Sequence, residues 1–263
     1  MARFKGPIQF TGSLGNLRSY WDEDTQQQII SLKRGKNPDN YQNDTVDELN
    51  QEFKAVNIWA KLIRESTLDL VYLKKGRLNG KLVKIAKQIQ TLDPQGGLGF
   101  RKIESSKLNA PLVGFCMNNS HPFKEVCNID PAIEISKDRN EVTFSMPNFV
   151  SFGKFKWDVQ VKYFRIYILI YELPDIEWNA TNREYSPVYS SESLGSKTVV
   201  SEWKQVITQP VNIVIPVAFD DNHLPKEKST VMVSVGFEFA SNMLYDTPYV
   251  VKDNGTCAIL GCF

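Results

Sequence analysis

The chain has 263 residues, with 31 Lys and Arg against 30 Asp and Glu, a net charge of +1. That length supports one large or two small domains with a real core. The even charge balance removes any general pull toward nucleic acid or an anionic membrane surface.

Hydrophobic residues make up 42% and aromatic residues 11%, an ordinary globular composition leaning toward β-rich cores. The most apolar windows, 166–171 and 211–219, are too short to span a bilayer. The opening Met-Ala-Arg-Phe-Lys-Gly-Pro-Ile-Gln-Phe has no apolar stretch of signal-peptide length. The expectation is a cytoplasmic chain, with export by a non-standard route left open. Cys116, Cys127, Cys257 and Cys262 form no Cys-x-x-Cys pair. Reduced structural thiols follow from that compartment. On one strand, Cys257 and Cys262 would point to opposite faces.

In chain order, residues 5–33 read as small β-structure. The strand candidates are 8–10, 17–21 and 28–32, set between turns at 12–16 and 22–25. Residues 34–43 read as a loop. Thr45 with Glu48 forms a capping box. Leu49, Phe53, Val56, Ala60 and Ile63 then repeat at helical spacing. After Gly76 and Asn79-Gly80, a second stripe runs through Leu78, Leu82, Ile85, Ile89 and Leu92, and stops at Asp93-Pro94. Two antiparallel helices packed through these stripes are expected. Lys54, Lys61, Lys81, Lys84 and Lys87 read as their solvated faces. The turn 95–99 matches neither Gly-rich phosphate-binding pattern, so a plain turn is favoured. Residues 100–108 are read as a third short helix.

From about Ala110 the period becomes two. Ile133 and Ile135, then Val142, Phe144 and Met146, mark short strands. Residues 161–173 are the densest β-branched and aromatic run, a central strand. One face carries Phe164, Ile166, Ile168 and Ile170; the other carries Tyr163, Arg165, Tyr167, Leu169 and Tyr171. The second face is amphipathic and calls for a helix, a loop or another subunit to cover it. Residues 199–207 fit either period. Alternation resumes at 211–219 and 231–239, and 257–260 is a last strand. The fold class expected is α+β. A small N-terminal β segment (1–43) precedes an antiparallel helical hairpin (44–109). A C-terminal antiparallel β-sandwich of immunoglobulin- or fibronectin-like architecture (110–263) follows.

Chemistry is sparse. Only His121 and His223 could act as an imidazole base, both in polar turns, and no Gly-x-Ser-x-Gly elbow occurs. The histidine and cysteine spacings give no metal site, and no cofactor is expected. The turn Asp220-Asp221-Asn222 is oxygen-rich but lacks a calcium-loop pattern. A better candidate surface is 147–157, where Phe149, Phe152, Phe155 and Trp157 interleave with Lys154 and Lys156. The plainer reading is that these rings plug the end of the sandwich. Trp178, with Tyr185 and Tyr189, raises the same question after the central strand.

The stretches 6–17 (Gly-Pro-Ile-Gln-Phe-Thr-Gly-Ser-Leu-Gly-Asn-Leu), 52–57 (Glu-Phe-Lys-Ala-Val-Asn), 103–107 (Ile-Glu-Ser-Ser-Lys) and 201–203 (Ser-Glu-Trp) resemble an uncharacterised family of Bacteroidota proteins. The resemblance implies a lineage and a domain order, and no activity. The functional expectation is a non-enzymatic structural or interaction protein. It would bind a protein partner or itself through β edges and the face of Tyr163, Arg165, Tyr167 and Tyr171. The alternative is a carbohydrate- or small-ligand-binding module using Phe149, Phe152, Phe155, Trp157 and Trp178.

Overall fold

The structure is a computed structural model and describes residues 2–3, 10–22, 26–33, 44–157, 160–244, 247–249 and 254–263. Most of the expected strand 8–10 and all of the loop 34–43 lie outside these residues. The chain is mixed α and β, rich in sheet, and the described strands of its named sheets pair antiparallel. It divides into two compact units, Met1–Val46 and Asp47–Phe263.

The first unit is a four-stranded sheet of β1 (Ala2–Arg3), β2 (Gly12–Leu14), β3 (Leu17–Asp22) and β4 (Gln27–Leu32), ordered β1-β4-β3-β2. Gly15 supplies the positive φ of +55° in the β2–β3 turn. Directly paired residues share a face. Leu14 pairs with Leu17, and Leu17 with Leu32. Trp21, four residues along β3, lies on that same face.

The second unit holds most of α1 (Asp44–Ser66), followed by α2 (Asn79–Thr91) after a 3₁₀ turn, Leu68–Leu73. The short α3 (Phe123–Val126) follows. One sheet is built of β5 (Ala132–Ile135), β6 (Glu141–Phe149) and β12 (Val211–Ala218), in the order β12-β6-β5. The other centres on β7 (Tyr163–Pro174), with β10 (Ser196–Val200) and β11 (Lys204–Gln205) along one side. On its other side lie β13 (Ser229–Ala240) and then β16 (Gly255–Cys262). Two small hairpins complete the set: β8 (Ile176–Asn179) with β9 (Glu184–Pro187), and β14 (Asn242–Leu244) with β15 (Thr247–Tyr249).

The large sheet is a middle layer. Phe164, Ile166, Ile168 and Ile170 of β7, with Val231 to Phe239 in alternation on β13, share a core with Val142, Phe144, Met146, Ile213 and Val217 of the small sheet. The opposite face brings Leu169, Tyr171, Leu173, Met232, Cys257 and Ile259 against α1 and α2. Cover on both faces explains why all 12 residues of β13 are buried. Each large apolar side chain so buried contributes roughly 1.5–3 kcal/mol.

Four local expectations are corrected. The inward face of α1 is Glu52, Ala55, Val56, Trp59, Ala60 and Ile63, while Leu49 and Phe53 stand exposed. The helix is rotated to put Trp59 into the core. On α2, Leu82, Ala86, Ile89 and Gln90 are buried and Leu92 is exposed. Residues 100–108 form no helix: Ile103 pairs with Ile176 through two backbone hydrogen bonds of 3.0 and 3.1 Å. The buried Asp175 carboxylate holds this segment, accepting from the Ser106 N–H at 2.9 Å and the Ser106 hydroxyl at 2.5 Å. Finally, Cys257 and Cys262 pack on the same, helix-facing core. The register shifts where Ser234 pairs with Ile259 and Val233 with Gly261. The extra residue, Leu260, is a bulge that inverts the alternation. All four cysteines are free thiols.

Candidate ligand site at the aromatic end of the two sheets

Strand β6 ends at Phe149, and the chain then crosses the end of the two-sheet core before entering β7. The crossing is pinned on both sides. Toward β11, the Phe152 N–H donates to Ile207 O at 3.0 Å, and the Ile207 N–H donates to Ser151 Oγ at 2.8 Å. Toward α3, Phe155 pairs with Cys127, and the Lys156 N–H donates to Val126 O at 2.8 Å. Gly153 turns the loop with φ of +73°, a conformation that favours glycine.

The aromatics divide by depth. Phe149 is buried in the two-sheet core. Phe155 lies on that core, with ring centroids 6.3 Å from Phe149, 5.0 Å from Phe164, 5.5 Å from Phe237 and 5.1 Å from Phe239. Trp157 sits between His121 at 4.2 Å and Phe239 at 5.1 Å. Phe152 is the open ring, 62% exposed. Phe152, Phe155 and Trp157 line a cavity of about 400 Å³ together with Ser151, Gln160, Lys162, Tyr163 and Gln205. Gln160, Lys162 and Gln205 were not singled out in the sequence. They reach the cavity through the pairing of β11 with β7, which sets Gln205 against Tyr163 and Lys204 against Phe164, residues brought together only in the folded chain.

Trp178 is elsewhere. It packs edge-on against Phe100 at 5.4 Å and Tyr185 at 5.3 Å, on the helical core. The tyrosine face of β7 is also divided. Tyr171 is buried beneath the helices, and burial pushes its phenol up to about 12. Tyr167 donates to Glu238 Oε2 at 2.8 Å, and Arg165 Nε lies 2.5 Å from the same oxygen. Burial, then the hydrogen bond to Glu238 and the charge of that carboxylate, raises the Tyr167 phenol. The Arg165 guanidinium stacks 4.8 Å from the Trp203 ring and 5.2 Å from that of Tyr167. Tyr163 is half-buried at the cavity margin.

The buried carboxylates are engaged by the chain itself. Glu172 accepts from the N–H groups of Lys226 at 2.7 Å and Gly195 at 3.1 Å, and from the Ser229 hydroxyl at 2.8 Å. His223 Nε2 lies 2.6 Å from Glu172 Oε2, the oxygen that also accepts from Gly195. Burial alone would raise its carboxyl, but these partners hold it below the ordinary value. Asp175 goes the other way: burial outweighs its serine hydrogen bonds and pushes it up. Glu52 joins Lys87, Arg101 and the Gly99 N–H across α1, α2 and the following loop. His121 packs against Trp157 with its ring inclined 38°. Asp220 pairs with Lys197 at 2.7 Å. Among the described residues, no three His, Cys, Asp or Glu side chains gather closely enough to hold a metal ion. Nor does any described helix have the length and apolarity to cross a membrane.

Comparison with protein-family models, curated proteins and solved structures finds no match to this chain. The reading of the site therefore rests on its own geometry.

Proposed function

We propose that this chain is a non-enzymatic binding protein. Its two sheets form a β-sandwich of immunoglobulin- or fibronectin-like architecture, with a helical hairpin on the outer face. A small ligand binds at the aromatic end. One observation carries the reading: Phe152, Phe155 and Trp157 line a cavity of about 400 Å³ whose loop is fixed by backbone hydrogen bonds to both neighbours. Pre-formed, mostly apolar cavities of roughly 300–1,000 Å³ with a few polar groups are the usual form of ligand sites. Trp157 provides the assay. Difference fluorescence between the wild type and Trp157→Phe, across a panel of small probes, should show saturable changes. A panel that leaves the wild-type emission unchanged overturns the proposal.

A second reading, binding of a protein partner, is supported by the first unit. Leu14, Leu17, Trp21 and Leu32 share one sheet face and are 37–74% exposed. Pairing through the edges of the larger sheets is less favoured. The segment carrying Gly114 and Met117 bonds along β16, and Pro216 lies within β12. Light scattering of the wild type against Trp21→Ser and Leu32→Ser tests this: a particle mass that never exceeds the monomer, with no partner retained, counts against it.

A further inference from the structure

We infer that the cavity bounded by Phe152, Phe155, Trp157, Gln160, Lys162 and Gln205 takes a neutral saccharide. The inference rests on the ligand-site reading above and names the class of ligand. Its floor is apolar and closely packed, because the Phe155 ring lies among Phe149, Phe164, Phe237 and Phe239. Its platform is Phe152, whose ring is open to solvent while its backbone is tied to Ile207. An exposed ring on a fixed backbone suits the C–H face of a sugar and costs little ordering entropy.

The polar groups fit the same ligand. The Gln160 and Gln205 side chains are exposed on the cavity and form no hydrogen bond among the described residues. Each amide offers both donors and an acceptor, the pairing that adjacent sugar hydroxyls require. The Trp157 indole N–H likewise has no hydrogen-bond partner among the described residues.

Two other ligand classes fit less well. A phosphorylated or sulfated ligand calls for several cations or a bidentate arginine. The charged side chain on the described lining is Lys162, and its ammonium lies 3.5 Å from Asn242 Oδ1. A flat base calls for parallel rings. Trp157 is inclined 38° to His121 and 50° to Phe239, and Phe155 is inclined 46–64° to its four neighbours. These rings make a wall and a floor rather than a slot.

Calorimetric titration of the purified full chain tests the inference. The probes are glucose, galactose, mannose and N-acetylglucosamine with their short oligomers, alongside adenosine monophosphate, inorganic phosphate and an anilinonaphthalene dye. At least one saccharide series should bind. Phe152→Ala and the double variant Gln160→Ala/Gln205→Ala, both exposed substitutions whose folding is checked by thermal melting, should each weaken it roughly tenfold, about the size of one lost stacking or hydrogen-bond pair. Saccharide binding untouched by either variant overturns the site. If the nucleotide or the dye binds in a Phe152-dependent way and no saccharide does, the saccharide class falls and the ligand-site reading stands. If no probe binds, both fall.

Discussion

Leu73 rests its Cδ1 2.5 Å from where a Cβ on Gly236 would stand. Leu73 ends the 3₁₀ turn after α1, and Gly236 lies mid-strand in β13, so the helical layer seats a leucine in a notch of the sheet. Gly255, paired beside Glu238 on β16, crowds the same leucine. Gly236→Ala should cost about 1–3 kcal/mol by overpacking, although alanine suits a strand better than glycine. Urea unfolding measures it. In a Leu73→Ala background the same substitution should cost much less, and an unchanged cost would show that the notch does not matter.

Glu52 should be the costliest carboxylate to remove. It is fully buried, and Lys87, Arg101 and the Gly99 N–H converge on it. Glu52→Ala leaves two cations without their partner, a loss of about 3–5 kcal/mol for breaking a buried pair. Glu52→Gln should recover part of this by keeping the shape and the Gly99 bond. Thermal melting of both variants provides the check, with equal melting temperatures counting against the lock.

The faces of β7 and β13 were legible because alternation is local: each isoleucine or valine announces its side within a few residues. The rotation of α1 was not. Pattern reading counts Leu49 and Phe53 as core and Glu52 as surface, whereas the fold buries Glu52 with cations drawn from α2 and the loop beyond. The segment 100–108 misled for a similar reason, because its conformation is set by Asp175, about 70 residues away. The bulge at Leu260 leaves no mark in the composition of β16. Within the candidate site, the rings at 152, 155 and 157 stood out as a cluster. Gln160 and Gln205 did not, since only the pairing of β11 with β7 brings them together.

Stability should peak near pH 9. Burial lowers Lys74 from 10.5 to about 8, against the pull of the Cys257 and Asp69 charges. A base with a depressed folded value is less protonated than in the unfolded chain, so stability rises with pH from about 8. The thiols act in the opposite sense. Burial raises Cys127 and Cys257 far above 9.0 and Cys262 from 9.0 to about 12, and Tyr171 moves from 10.0 to about 12. Their contribution is whole below the unfolded values and is lost as pH climbs past 9 and then 10. Urea midpoints between pH 7 and 10.5 should rise slightly and then fall. Lys74→Met should abolish the rise, and Cys127→Ala should soften the fall. A midpoint that climbs steadily to pH 10.5 would contradict the buried-thiol account.

Arg139 should resist conservative replacement. It stands in the β5–β6 turn with φ of +59°, a strained position for a side-chain-bearing residue. Its Nη2 donates to Ser229 O at 2.6 Å and Phe263 O at 3.2 Å, and its Nη1 reaches Lys226 O at 3.5 Å. One guanidinium thus ties the turn to the start of β13 and the strand paired with it. A lysine carries the same charge but not the planar fork, so Arg139→Lys should lose most of what Arg139→Ala loses, about 1.5–3 kcal/mol for charge-assisted bonds. Arg139→Gly separates strain from bonding: it relieves the backbone while removing the donors, and should fall between the wild type and the alanine variant. If the lysine variant melted with the wild type, charge alone would account for the site and the fork would be incidental.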